Sequence, residues 1–400
     1  MAEQEVPERH ASWLELFFDL IIVVAVAQLA HVLHPSPGHP IGLADAGLFI
    51  VLYYAVWSVW TSFTLYANVA GERTRRQSML IAMFGIAVMA AAIPEAAGDR
   101  ARAFAIAYVA CRVLATRTWS RTGTFLGAWP AAQYGTGLLP WLISIWVPAP
   151  GRYWLWGLGT AADILISYLQ SRHPEQRLAG LRDEAHRRRE RAYLRGRVPR
   201  RIVLPAGARL NVPHLGERLG LFVIIVLGEA VMQVVVAAGE ISWTPAFSVA
   251  ALAGFGLLVC LWWLTLEYGA AAVPGFGGLR ARITLPAHFA MTAGVAATAA
   301  GLGALAEHAD GHLAAAVRWT LCGGMTAYFL TSAVLGAAAR APLRWLLGWA
   351  LPAVLVPVLL AVFGGGLAAW WIVVGLLAVA YWQVSYPAVM RRLTDGRATA

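Results

Sequence analysis

"WLELFFDLIIVVAVAQLAH", residues 13–31, reads as a membrane-spanning helix that carries two carboxylates, Glu15 and Asp19, four positions apart. That spacing puts both on one helical face, one turn from each other. Glu15 follows Trp13, a residue type of the headgroup level, so an interfacial place is the plain reading for it. Asp19 lies one turn deeper, where an unpaired charge costs roughly 2.5–3.5 kcal/mol on insertion scales. It is expected to face protein or water, either as a functional acid or in an ion pair with Arg112 of the fourth predicted helix.

The rest of the chain agrees with a membrane class. Of 400 residues, 59% are hydrophobic and 13% are charged, whereas soluble domains run near half apolar and a quarter charged. Apolar stretches long enough to cross the hydrocarbon fall at roughly 14–33, 43–66, 78–97, 102–119, 123–147, 153–170, 215–237, 244–268, 283–305, 312–337, 343–363 and 366–388. The expected fold is therefore an all-α polytopic integral membrane protein of about twelve transmembrane helices. The acidic opening "MAEQEVPERH" lacks the basic region of a cleavable signal, so the first helix is expected to stay as an anchor.

The net charge of +10 comes from arginine alone, since the sequence has no lysine. With twelve spans, Arg9, Arg73, Arg75, Arg76, Arg117, Arg121, the arginines of 172–209, Arg280, Arg282, Arg340, Arg344, Arg391, Arg392 and Arg397 share one side. Arg100, Arg102 and Arg152 take the other, and Arg112, Arg218 and Arg318 lie within helices. This is the positive-inside pattern: both termini cytoplasmic, an inner-membrane location, and no nucleic-acid partner. Lysine chemistry, from phosphate loops to Schiff bases, is excluded. Cys111, Cys260 and Cys322 show no paired spacing, so neither disulfides nor cysteine-ligated metal is expected.

An Arg-rich cytoplasmic linker, 171–213, separates a membrane half at 1–170 from a second at 214–400. The halves echo one another as pseudo-repeats of six helices. "LELFFDLIIVVAVAQ" (14–28) aligns with "GERLGLFVIIVLGEA" (216–230), Glu15 against Glu217, and each has a histidine upstream, His10 and His214. Trp57, Trp60 and Tyr66 match Trp262, Trp263 and Tyr268 in the second helix of each half.

"ASWLELFFDL", "HLGERLGLFVIIVLGEAV" (214–231), "WWLTLEY" (262–268) and "PAHFAMTAGVA" together resemble the bacterial low-temperature-requirement A (LtrA) family, over nearly the whole chain. The resemblance implies a polytopic membrane protein and says little about chemistry. After the second helix the family commonly has an Asn-Arg-Phe-Asp run; here "YANVAGERTRRQ" keeps Asn68 and replaces the remainder.

Candidate site residues are Glu15, Asp19, Arg112, Glu217, Arg218, Glu229, Glu267 and His288, with Trp57, Trp60, Trp262 and Trp263 as substrate walls or an aromatic belt. Glu229 follows Gly228, which is expected to admit a neighbouring backbone, and Gln233 lies one turn on. No metal-ligand spacing such as HExxH occurs, so no metal and no cofactor are expected. "HPSPGHP" (34–40), "GFGG" (275–278) and "FGGG" (363–366) read as turns. Three functions fit. A proton- or cation-coupled transporter would hold a small solute between the halves. A membrane-embedded enzyme would use buried carboxylates on a lipid or isoprenoid substrate. A non-catalytic scaffold or sensor would use the polar residues as interhelical glue.

Overall fold

A computed structural model describes residues 10–35, 40–195, 204–268, 281–306 and 308–398. "GFGG" (275–278), part of "HPSPGHP" and part of the linker lie outside the described residues. Helices dominate, and among the described residues nine are long and apolar enough to cross a membrane. Contacts divide the chain into two compact units, Met1–Ala25 with Val51–Arg218, and Val26–Ile50 with Leu219–Ala400.

The first unit is built around α2 (Leu43–Ala70). Residues 52–68 of that helix are buried without exception, because its sequence is apolar on every side and its two serines bond to their own backbone. Ser58 Oγ donates to the Ala55 carbonyl at 3.0 Å and Ser62 Oγ to the Ser58 carbonyl at 2.7 Å. Around it stand α1 (Trp13–Val32), α3 (Arg76–Ala92) and α4 (Ala101–Ser120).

The predicted span 123–147 is not one helix. It forms strand β1 (Thr124–Phe125), a single turn α5 (Ala131–Tyr134) and the short α6 (Leu138–Ser144). Pro130 cannot continue a preceding helix, and Gly135 ends α5 in the left-handed region at φ +57°. α7 (Gly151–Gln170) follows. Trp141 of α6 stacks on Trp156 of α7 with ring centroids 5.0 Å apart. α4 and α7 are 20 residues each but fall outside the apolar nine, because Arg102, Arg112 and Arg117 in one and Arg152 and Asp163 in the other dilute them. The linker contributes α8 (Pro174–Leu194) and β2 (Ala206–Gly207), which pairs in parallel with β1, Thr124 opposite Ala206.

Beyond the first turns of α9 (Val212–Glu240), the second unit holds α10 (Pro245–Trp262) with a π-turn at Trp263–Glu267, α11 (Ala281–Ala306) and α12 (Ala315–Ala338). It ends with α13 (Leu343–Trp345), a π-turn at Leu346–Ala350, α14 (Leu351–Phe363), the Gly364–Gly366 turn and α15 (Ala369–Ala398). Arg318 of α12 donates from Nε to the Ala361 carbonyl at 2.8 Å, holding the end of α14.

α11 and α12 pack through a seam of small residues, the usual device where lipid supplies no hydrophobic drive between helices. A Cβ on Gly324 would fall 2.5 Å from the Gly294 carbonyl oxygen and 2.6 Å from Thr298 Oγ1. On the adjacent Gly323 nothing lies within 4 Å of the same position. Gly324→Ala is therefore expected to destabilise the protein by about 1–3 kcal/mol through overpacking. Gly323→Ala should be neutral or slightly stabilising. Thermal unfolding of the two variants in detergent, followed by circular dichroism, checks the contrast; equal shifts would contradict the seam.

Candidate functional site

Two clusters of buried polar groups lie in the first unit. The first joins the starts of α1 and α9. Ser12 and Glu15 form a capping box: the Glu15 N–H donates to Ser12 Oγ at 3.4 Å, while Glu15 Oε2 accepts the Ser12 N–H at 2.8 Å and hydroxyl at 2.7 Å. Glu15 thus caps its own helix. Its other oxygen lies 3.3 Å from His214 Nε2, with both side chains almost fully buried.

The state of His214 follows from its neighbours. Asn68 Nδ2 donates to the Asn211 carbonyl at 2.8 Å, and Asn68 Oδ1 accepts the Asn211 N–H at 2.9 Å. This pair fixes the orientation of the Asn68 amide. Its remaining hydrogen then points to His214 Nδ1 at 3.1 Å, which must accept. In the neutral ring the proton is on Nε2, the nitrogen facing Glu15. Asn211 completes the arrangement by capping α9, its Oδ1 accepting the His214 N–H at 3.1 Å. The retained Asn68 therefore has a definite task.

Asp19 sits one turn inside this chain of contacts. Its Oδ1 accepts from Arg218 Nη2 at 2.7 Å and from Trp60 Nε1 at 2.8 Å. Oδ2 is buried and receives no hydrogen-bond donor among the described residues. The expected partner, Arg112, is elsewhere. Arg218 takes that place because α9 starts beside α1 and presents its guanidinium one residue after Glu217. Glu217, aligned with Glu15 in the sequence, is at the rim, where Oε2 accepts the Ala11 N–H at 3.1 Å and Oε1 lies 3.9 Å from His10.

Arg112 is the centre of the second cluster. Nη2 lies 3.3 Å from Asp163 Oδ2, both side chains 2% exposed, and also donates to the Ala131 carbonyl at 2.5 Å. Nη1 donates to Ser62 Oγ. Asp163 Oδ2 also accepts from Tyr54 Oη at 3.0 Å. Its Oδ1 accepts from Thr136 Oγ1 at 2.7 Å and from the Gly137 N–H at 3.1 Å. Ala131, Thr136 and Gly137 belong to the broken segment, so the ion pair bonds directly to its backbone and side chains. The sequence reading missed Asp163. The argument applied to Asp19, a lone carboxylate within an apolar helix, singles out "TAADILISYLQ" equally well.

The remaining candidates are dispersed. Glu229 accepts from Gln233 Nε2 at 2.6 Å on the same helix. Among the described residues nothing lies within 4 Å of a Cβ placed on Gly228; the close contact is made by Gly303 of α11, where a Cβ would lie 3.3 Å from Gln233. His288 Nε2 is 3.1 Å from the Leu219 carbonyl and donates to it, with Phe222 edge-on at 5.4 Å. Glu267, Trp262 and Trp263 are exposed on the second unit. Trp57 and Trp60 are fully buried, Trp57 edge-on to Trp129 at 6.4 Å. Among the described residues no three His, Cys, Asp or Glu converge as metal ligands would.

The family model of the bacterial low temperature requirement A protein (LtrA) matches residues 10–380, nearly the whole chain, and the chain belongs to that family. An uncharacterized protein of Rhizobium meliloti (strain 1021) is 29% identical over 244 residues, 58% of this chain and 53% of that protein. The chain thus spans about half the length of the curated relative it matches. No solved structure matches it.

The Asp19–Arg218 contact makes a quantitative prediction. Asp19→Asn and Arg218→Gln each leave a buried charge without its counter-charge and are expected to destabilise by about 3–5 kcal/mol. The combined D19N/R218Q protein leaves none and should lose clearly less than the sum. Unfolding midpoints of the four proteins in one detergent give the coupling; strict additivity would remove the pair from the account.

Proposed function

We propose that this member of the LtrA family is a proton- or cation-coupled carrier of a small solute in the inner membrane. The observation that carries the reading is the Arg112–Asp163 pair docked against the interrupted helical segment 131–137. Interrupted helices beside buried charges are the construction that carriers use for coupling sites at membrane depth. Asp19 supports the same reading, since its Oδ2 is buried and open to a proton. Protonation of either carboxylate would release its arginine, which cannot shed its own charge. Glu229 is a third carboxylate at depth, and it accepts from Gln233 of its own helix.

In this reading 121–150 is one of twelve crossings. Tyr153 Oη donates to the Ala97 carbonyl at 2.7 Å, placing the start of α7 beside the α3–α4 connection. At its other end the segment pairs with the linker through β1 and β2. With α4, α7 and this crossing beside the nine apolar helices, the arginine-rich loops and both termini share the cytoplasmic side. The two six-helix halves and a solute or lipidic substrate drawn from the bilayer or cytoplasm belong to the same proposal.

A scaffold role is the second reading. The capping task of Glu15 and the backbone bond of His288 favour it, because each explains a buried polar group by structure alone.

Proteoliposomes carrying a pH-sensitive dye separate the two. A carrier gives proton flux that depends on one member of a solute panel and is lost in Asp163→Asn and Asp19→Asn protein that still folds. Solute-indifferent vesicles with wild-type protein, or full flux in both variants, would refute the carrier.

A further inference from the structure

Two adjoining cavities open at one end of the first unit, where α2 ends, α3 begins and α4 ends. The first, about 470 Å³, is lined by Arg73, Arg75 and Arg121 with Tyr66, Thr122 and Thr124 among others. The second, about 420 Å³, is lined by Arg75, Arg76, Arg117 and Arg121 and runs on to Ile81 and Leu114. Five exposed arginines thus line the two cavities, which share Arg75, Thr118 and Arg121. Among the described side chains no carboxylate lines either cavity, and none of the five makes an ion pair. Elsewhere in this unit the buried Arg112 and Arg218 are each matched by an acid. Crowded like charges of this kind are relieved by an anion.

A donor besides the arginines also faces the first cavity. Tyr66 is 2% exposed, and its oxygen already accepts the Arg75 N–H at 3.1 Å. Its own hydrogen has no acceptor among the described residues. α3 begins at the same place with no side chain capping it, which adds backbone donors to the cationic lining.

We propose that these cavities bind a phosphate group, and that its source is the headgroup of an anionic phospholipid. Arginine forks match phosphate oxygens bidentately. The level fits as well: α2 and α3 are each long and apolar enough to span a membrane, which puts their connection at the level of the headgroups. The second cavity grades from arginine to Ile81, which is 57% exposed, a surface for the first carbons of an acyl chain. A basic pocket between spanning helices on the arginine-rich side has the chemistry of a headgroup site.

Native mass spectrometry of the full-length protein, released from a neutral detergent, tests the site. The probes are dioleoylphosphatidylglycerol, dioleoylphosphatidylcholine and inorganic phosphate. The proteins are wild type, R75Q/R121Q, R75K/R121K and the control R187Q/R189Q in α8. Wild type should retain phosphatidylglycerol about tenfold more than phosphatidylcholine, the glutamine pair should lose that preference, and the lysine and control pairs should keep most of it. Inorganic phosphate retained by wild type without lipid, and lost in the glutamine pair, would uphold the site and assign it to a soluble phosphate. Should the glutamine pair fail to elute as a folded species, the single variants R117Q and R121Q are read in its place. Equal retention of both lipids, unchanged binding in the glutamine variants, or the same loss in the control pair would overturn the proposal.

Discussion

The Arg112–Asp163 ion pair is the contact on which the first unit depends. A chain crossing hydrocarbon must satisfy its backbone internally, and helices do so automatically. Residues 123–147 do so only in part, through short turns, because Pro130 and Gly135 break them into pieces. Side chains supply further bonds to the broken backbone. Arg112 takes the Ala131 carbonyl, Asp163 takes the Gly137 N–H, and Ser167 Oγ accepts the Ala131 N–H at 2.9 Å. Each charge is in turn balanced by the other. Removing either would leave a buried charge, and removing Asp163 would also strip the Gly137 N–H of its acceptor.

The same logic sorts the carboxylates of α1. Two acids on one helical face look alike in the sequence, yet they do different work. Glu15, at the helix start, closes a capping box and meets a histidine whose tautomer is dictated by Asn68. Asp19, a turn deeper, needs a full counter-charge and finds it in Arg218. The depth of each group decides the strength of partner it requires. In this LtrA-family chain the two motif regions, 12–19 and 211–218, therefore meet in one bonded cluster.

Much of the architecture was legible beforehand. Long apolar runs gave the helices of α1–α3 and α9–α12, and lone charges in apolar runs marked Asp19, Arg112 and Arg218 as groups that must be paired. Pairing itself was not legible, since it depends on which helices are neighbours. Arg112, a charge within a helix that cannot be shed, is the partner the sequence suggests for Asp19, whereas Arg218 is the group that α9 brings to it. The break at 123–147 was foreshadowed by Pro130 and Pro140, but an apolar composition is compatible with both a helix and a folded segment buried in protein. Gly228 shows the limit of a small residue as a signal: a neighbour approaches at Gly303 instead.

The most direct test of this account is hydrogen–deuterium exchange of the 131–137 amides in lipid nanodiscs, compared between wild type and Asp163→Asn protein. Docking on the ion pair predicts slow exchange at Ala131 and Gly137 in wild type, rising severalfold in the variant while α2 stays protected. Fast exchange in wild type, or protection that survives loss of the Asp163 charge, would contradict it.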